Sequence, residues 1–219
     1  MKKKVEAIIC DMDGTLVNYP NEPFRSSWDA LAEALPKTLR EQWRELRDFY
    51  YPKKELCGEW YKKQVALLKG IRLTDIEGHL FPAPYSSGVE DFFSNRNGYV
   101  KGIVSAGVGF VAERIAKELS FDFVVGIPIE VKNGTFTGEG ECISYLWRKD
   151  LDILKVANEN HLNLQRTIYV GDNDNDIACF KLAGISVAFN PKTEETKRAA
   201  KYVISDFREL NDILKEIEK

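Results

Sequence analysis

The sequence predicts a doubly wound α/β fold: a parallel sheet covered by helices on both faces, with an all-helical segment inserted after the first strand. Three observations predict it. Short apolar runs rich in β-branched residues recur along the chain, and amphipathic helical patterns stand between them. That rhythm breaks once, over residues 18–86, where helical patterns follow one another without a strand pattern. Polar residues also stand at the carboxyl ends of three of the runs, where open α/β sheets bind their ligands.

The first run, Val5 to Cys10, stops abruptly at Asp11 and Asp13, and Gly14 and Thr15 follow. Glycine lets the chain turn sharply there. The insert then carries helical stretches over 26–35, 38–50 and 55–70, punctuated by Pro20, Pro36, Pro52, Pro82 and Pro84. Its rings Trp28, Trp43, Trp60, Tyr50, Tyr51 and Tyr61 are expected to form its core, lining a pocket being the lesser role for any one of them. The domain division expected is 1–17 with 87–219 as the α/β core and 18–86 as a helical cap, hinged near Leu16–Pro20 and Phe81–Gly88.

A second run over 99–105 ends at Ser105. "SAG" there reads as lying directly before a helix, which runs over 109–120 with Phe110, Ile115 and Leu119 near helical spacing. Residues 127–141 alternate around Asn133-Gly134, a β-hairpin signal, and are expected to protrude as a flap. A helix over 150–161 repeats Leu151, Leu154 and Ala157. A third run, 166–172, ends at Asp172 inside "GDNDND". A helix over 175–184 follows with Gly184 as its C-cap, and then a strand over 184–189. The last helix, 206–219, begins at Asp206.

Composition sets outer bounds. The chain has 219 residues and a formal charge of −3, enough length for a packed core and no basic surplus for nucleic acid. No apolar run approaches the roughly 20 residues of a membrane helix. The signal-like "MKKKVEAIIC" is too short and is cut off by the aspartates, so the expected location is cytoplasmic. Cys10, Cys57, Cys142 and Cys179 lack ligand spacing and are expected as reduced thiols, and His79 and His161 are too isolated for a zinc site.

Asp11 and Asp13 lie two apart, so in extended backbone both reach one site. Close carboxylates need a cation or a shared proton between them. Oxygen ligands suit a hard cation, and magnesium is the natural one. Ser105, with the N–H groups at the following helix start, offers an anion site, and Lys149 can neutralise phosphate and an aspartate together. These parts add up to phosphoryl transfer through a carboxylate nucleophile.

"DMDGT", "VSAG", Lys149 and "GDNDND" resemble, in order and spacing, the four motifs of the haloacid dehalogenase superfamily. The layout is most similar to the phosphoserine phosphatase group, whose helical cap follows the first motif. "TLVN", "VALLK", "KNGTFTGE" and "GDNDNDIACFKLAG" echo it. The resemblance implies a Rossmann-like core and a magnesium-dependent phosphatase acting on a small phosphomonoester through an aspartyl phosphate. Asp11 is implied as nucleophile and metal ligand, and Asp13 as general acid/base binding metal through its carbonyl. Ser105, the N–H of Ala106 and Lys149 are implied to hold the phosphoryl group, and Asp172 to bind magnesium. Asn175 and Asp176 are implied to complete the shell around them. The partner expected is a small phosphorylated metabolite, with no nucleic acid and no membrane, the chain being a monomer or homodimer. Two positions depart from the group: Pro20 stands where a glutamate reads the serine amine, with Glu22 nearby, and Gln64 stands where an arginine reads the carboxylate, with Lys62 and Lys63 beside it. Phosphoserine phosphatase proper and a phosphomutase or phosphotransferase remain the alternative activities.

Overall fold

The computed structural model describes residues 5–94, 98–142 and 146–218; Lys2–Lys4 of the signal-like start lie outside them. Six strands form one sheet: β1 (Ala7–Cys10), β2 (Val100–Val108), β3 (Phe123–Ile127), β6 (Thr167–Gly171), β7 (Ile185–Phe189) and β8 (Tyr202–Ile204). Their spatial order is β3-β2-β1-β6-β7-β8, and every neighbouring pair is parallel. The chain winds outward from β1 in one direction and then, from β6, in the other. That reversal opens a crevice beyond the carboxyl ends of β1 and β6.

Strand alternation sends consecutive side chains to opposite faces. Ile8 joins an apolar cluster with Ile103 and Val170, while Ile9 joins a second with Val104, Tyr169 and Ala188. The first face is covered by α5 (Val89–Phe93), α6 (Gly109–Glu118) and α10 (Leu210–Glu218), and the second by α7 (Lys149–Glu159) and α8 (Ile177–Leu182). The strands β3 and β8 carry no separate signal in the sequence reading; both are edges, only partly buried, and so show no uninterrupted apolar run.

Between β1 and α5 stand α1 (Ser27–Glu33), α2 (Lys37–Tyr50), α3 (Cys57–Ala66) and α4 (Leu73–Leu80). Helix α1 packs on α4, and α2 on α3. Trp43, Val65 and Ile76 of these helices belong to the same apolar cluster as Ile8 of the sheet. The two connections to the sheet pair with each other: Asn18 N donates to Pro84 O (2.9 Å) and Ser86 N to Leu16 O (2.9 Å).

Three expectations are corrected. The hairpin of β4 (Val131–Lys132) and β5 (Thr135–Phe136) turns at Asn133 and Gly134, both with positive φ, but it does not protrude. Phe136 is buried, and its backbone exchanges bonds with Gly70 and Ile71 of the insert, because its apolar face needs cover that a free flap would lack. Helix α8 ends at Ala183 in extended backbone, and Gly184 is not a left-handed cap; a Cβ there would stand 2.2 Å from the Gln165 carbonyl, so close backbone approach requires the glycine. Helix α7 buries Lys149, Asp152, Ile153 and Val156, leaving Leu151 and Leu154 half exposed. The face is set by Lys149, which is drawn inward by buried carboxylates, and i+3, i+4 and i+7 follow it.

The C-terminal turn is fastened by Asp206. Its carboxylate accepts from the Arg208 backbone N–H (2.9 Å) and from the Ser87 hydroxyl (2.5 Å). Glu209 reaches back to the Asp206 N–H (2.9 Å), completing a capping box. The hydrogen bond from the Arg208 side chain, then that from Ser87, holds the Asp206 carboxyl well below the usual carboxylate range. A lowered folded pKa stabilises the fold above the unfolded value and stops doing so as pH falls through the folded one. Asp206→Ala is therefore expected to cost about 1–2 kcal/mol at pH 7. Urea titrations of both proteins should show that gap narrowing as pH drops below about 4.

Candidate active site

Asp11 follows β1 directly, and Asp172 follows β6, so the reversal of strand order brings the two carboxylates to one crevice. Asp11, Asp13, Ser105, Ala106, Asp172 and Asn175 all line a single cleft there. Lys149 and Asp176 do not line it; they are fully buried behind Asp11.

Lys149 Nζ stands 3.0 Å from Asp11 Oδ2 and is also bonded to Asp176 Oδ1. Burial alone would lower the lysine pKa, but the charges of Asp11 and Asp176 outweigh it and hold the ammonium form. Asp176 is saturated. Besides Lys149 it accepts from the Tyr169 hydroxyl (2.7 Å) and from the N–H groups of Asp172 (2.9 Å) and Asn173 (3.1 Å). Burial is the main force raising the Asp11 pKa, and Lys149 opposes it. Asp11 therefore faces the cleft as a carboxylate backed by one cation and short of charge compensation in front.

Asp13 is held from the insert. Its Oδ1 accepts from Ser27 N (2.8 Å) and its Oδ2 from Ser27 Oγ (2.7 Å), while the same hydroxyl accepts from Val108 N (3.0 Å). Ser27 opens α1, with Ser26 as its N-cap. Burial raises the Asp13 pKa to about 7, against the lowering pull of the two Ser27 bonds. Next to it, Trp28 Nε1 donates to Ala106 O (2.9 Å). Gly107 is required by close approach: a Cβ there would stand 2.6 Å from Asp13 Oδ2 and 2.3 Å from the Met12 side chain.

Ser105 lies inside β2 rather than at a helix start. Helix α6 begins four residues later at Gly109, with no side-chain cap, because β2 runs on to Val108 past an irregularity in its pairing with β3. The Ser105 hydroxyl accepts from Gly107 N (3.1 Å), and it lies close enough to Asp11 to pull that carboxyl's pKa down, against burial.

Asp172 accepts from Thr15 Oγ1 (3.2 Å) and pairs with Lys192 Nζ (2.7 Å). Its pKa is raised to about 7 by burial, Lys192 working against that. Asp174 of "GDNDND" turns away to Thr193 and Thr196. Asp11, Asp172 and Asp176 bring carboxylate oxygens within 4.8 Å of one another, and Asn175 Oδ1 is buried with no hydrogen-bond partner. Since Asp176 is saturated, a cation here falls to Asp11 and Asp172. These hard oxygen donors fit magnesium, and Lys192 already stands as a positive charge against one of them.

Sequence reasoning missed Ser27, Lys192 and Tyr169. The capping pattern "SSWD" marks Ser26 and Ser27 as a helix start, and "FNPK" puts Lys192 just past the end of β7, so the strand-end argument applied to a fourth strand finds it. The rings take both roles: Trp43, Tyr50 and Tyr61 are buried, with Trp43 and Tyr61 in the apolar cluster, and most of the six also line the cleft. Trp28, Trp43, Tyr51, Trp60 and Tyr61 all line the cleft, and only Tyr50 of the six does not. Gln64 lines it too. Pro20 and Glu22 are exposed and outside it, Glu22 paired with Arg25, and Lys62 and Lys63 are exposed.

A family model described as haloacid dehalogenase-like hydrolase matches residues 8–181. The phosphoserine phosphatase of Methanocaldococcus jannaschii is 29% identical over 221 residues, covering 99% of this chain and 100% of that one. That of Lactococcus lactis subsp. lactis is 33% identical over 166 residues, covering 74% and 75%. A solved structure of a phospho-aspartyl intermediate analogue of phosphoserine phosphatase superposes with a TM-score of 0.75 at 28% identity, covering 96% of this chain and 99% of that one.

The Lys149 pairing has a testable cost. Lys149→Met leaves Asp11 and Asp176 buried without their shared cation, a change worth about 3–5 kcal/mol. Chemical unfolding of the variant without added metal should show that loss; stability equal to the parent would mean the carboxylates take up protons at no expense.

Proposed function

The chain belongs to the haloacid dehalogenase-like hydrolase family and is a phosphatase of that family, and from that premise we propose how its residues divide the work. The substrate is a small phosphomonoester. The observation that carries the reading is Asp11 and Asp13 facing one cleft, the first backed by a buried lysine and the second bonded to Ser27 and raised by burial to a pKa of about 7.

The Asp11 carboxylate oxygen forms the new bond to phosphorus as the bond from phosphorus to the alcohol oxygen breaks. Asp13, protonated at that moment, gives its proton to the departing alkoxide. Water then attacks the phosphorus of the aspartyl phosphate, Asp13 takes the proton back, and Asp11 is released with inorganic phosphate. Ser105 and the backbone at Ala106 are placed to hold phosphoryl oxygens. Lys149 keeps Asp11 ionised and oriented, and Asp176, through Tyr169 and the N–H groups of residues 172 and 173, keeps Lys149 in place. Asp11, Asp172 and the Asp13 carbonyl would hold magnesium, with Asn175 close by; when bound, it offsets the negative charge gathered on the carboxylates and the transferring group. The family match to hydrolases favours water as acceptor over a sugar, hence a phosphatase over a mutase.

Residues 18–86 are read as the cap domain and 1–17 with 87–219 as the core. Among the described residues no helix is long and apolar enough to cross a membrane. A cytoplasmic enzyme, monomeric or homodimeric, acting on a metabolite is the setting this reading supports.

Phosphate release from a panel of phosphomonoesters tests the activity. Magnesium is expected to support it, a chelator to stop it, and Asp11→Asn to lower it by at least about a thousandfold. Activity surviving in Asp11→Asn would remove the aspartyl phosphate.

The pH profile tests the acid. Because Asp13 must enter the first step protonated, kcat/KM should fall as pH rises past its pKa. The Ser27 bonds favour its ionised form, so Ser27→Ala is expected to move that alkaline limb to higher pH. Movement to lower pH would take Asp13 out of the role.

A further inference from the structure

Beyond the carboxylates, the cleft is walled by aromatic rings. Phe24 lies 4.5 Å from Tyr51 between centroids, tilted 33°. Tyr51 in turn meets Trp60 edge-on at 6.2 Å and Trp147 at 5.8 Å. These four rings come from different stretches of chain, before α1, after α2, within α3 and before α7, and they meet at one cleft.

The polar content of this end is already spent. Arg47 and Lys192 are the basic residues lining the cleft among the described residues. Arg47 is paired with Asp48 (2.9 Å) and Asp29 (3.8 Å), and Lys192 with Asp172 (2.7 Å). A substrate carboxylate therefore meets no unpaired cation, and Gln64, which lines the cleft, is neutral. A substrate cation fares no better. Lys54 Nζ already sits 4.0 Å from the centre of the Trp147 ring, and the Arg47 guanidinium 5.7 Å from that of Phe24. At the ring end a quaternary or primary ammonium would find those faces already taken by Lys54 and Arg47, and the carboxylate there, Asp29, is already engaged by the Ser26 hydroxyl (2.9 Å) and by Arg47 (3.8 Å). Among the described residues of this wall, the Trp60 indole N–H is shut off from solvent and has no acceptor, so Trp60 meets the cleft through its apolar ring.

The geometry points to the leaving group: an uncharged planar aromatic or heteroaromatic alcohol, whose phosphomonoester this cleft takes in preference to phosphoserine. This deepens the phosphatase reading and rests on it. Flat rings gain from offset and edge-on packing against such walls in addition to the apolar area buried, whereas an amino acid head would leave its charges unpaired.

The test compares kcat/KM for benzyl phosphate, butyl phosphate, phosphoserine and phosphocholine with magnesium present. Benzyl and butyl alcohols are similar as leaving groups, so the first pair reads the pocket rather than the chemistry. Benzyl phosphate is expected to exceed each of the others by about tenfold or more. The benzyl-to-butyl ratio should collapse toward one in Trp60→Leu and, as a second variant, Tyr51→Leu. Calorimetric binding of benzylphosphonate and butylphosphonate reads the same preference without turnover. Equal values for benzyl and butyl compounds, or a preference for phosphoserine or phosphocholine, would overturn the inference while the phosphate released upheld the phosphatase. Release from none of the four esters, with benzylphosphonate no tighter than butylphosphonate, would overturn both.

Discussion

The site depends on one buried ammonium. Lys149 is inaccessible to solvent and touches two carboxylates, Asp11 and Asp176. A carboxylate at the end of a central parallel strand is costly in proportion to its burial, and Asp11 is buried. The lysine lowers that cost from behind and leaves the opposite side of Asp11 facing the cleft. Asp176 is the counterweight. Four donors converge on its two oxygens, so it stays in place and gives Lys149 a fixed partner. Helix α7 follows from this as much as from its apolar residues, since its buried face is the one that starts at Lys149.

The second carboxylate is handled from the other side of the chain. Asp13 takes both of its direct side-chain partners from Ser27, at the first turn of the inserted helices. The same serine accepts from the backbone of β2, and its neighbour Trp28 bonds the Ala106 carbonyl. The insert thus sets the environment of Asp13 and also ties down the end of β2. Any displacement of α1 would change both at once. The Asp13 environment is in this sense a property of the arrangement of two segments far apart in sequence, which no motif around residue 13 encodes.

That division explains what could be read in advance. The strands β1, β2, β6 and β7 are covered on both faces, so their sequences are continuous apolar runs, and the carboxylates at their ends stand out by contrast. Asp11, Asp13, Ser105 and Asp172 were legible for that reason. The edge strands β3 and β8 carry no such run, and both were missed. Ser105 lines the cleft, but the helix expected directly after "SAG" starts only at Gly109, because extended backbone past a pairing irregularity has no sequence marker as clear as an N-cap. Lys192 and Ser27 act through tertiary proximity to residues far from them in the chain, and only a strand-end or capping argument pressed further would have raised them.

The rings show where sequence reasoning had to stop. A tryptophan at helical spacing looks the same whether it fills a core or walls a pocket. Here Trp43 and Tyr61 do both: each is nearly inaccessible, belongs to the apolar cluster that runs into the sheet, and lines the cleft. The inserted helices have no apolar cluster of their own among the described residues; theirs is continuous with that of the sheet. The core and the wall of the cleft are therefore built from the same side chains. Trimming such a ring removes buried area and a cavity wall together, so its effect on substrate preference cannot be separated from its effect on stability by a single substitution. Trp60 and Tyr51, which lie outside that cluster and only partly buried, are the positions where the two effects come apart.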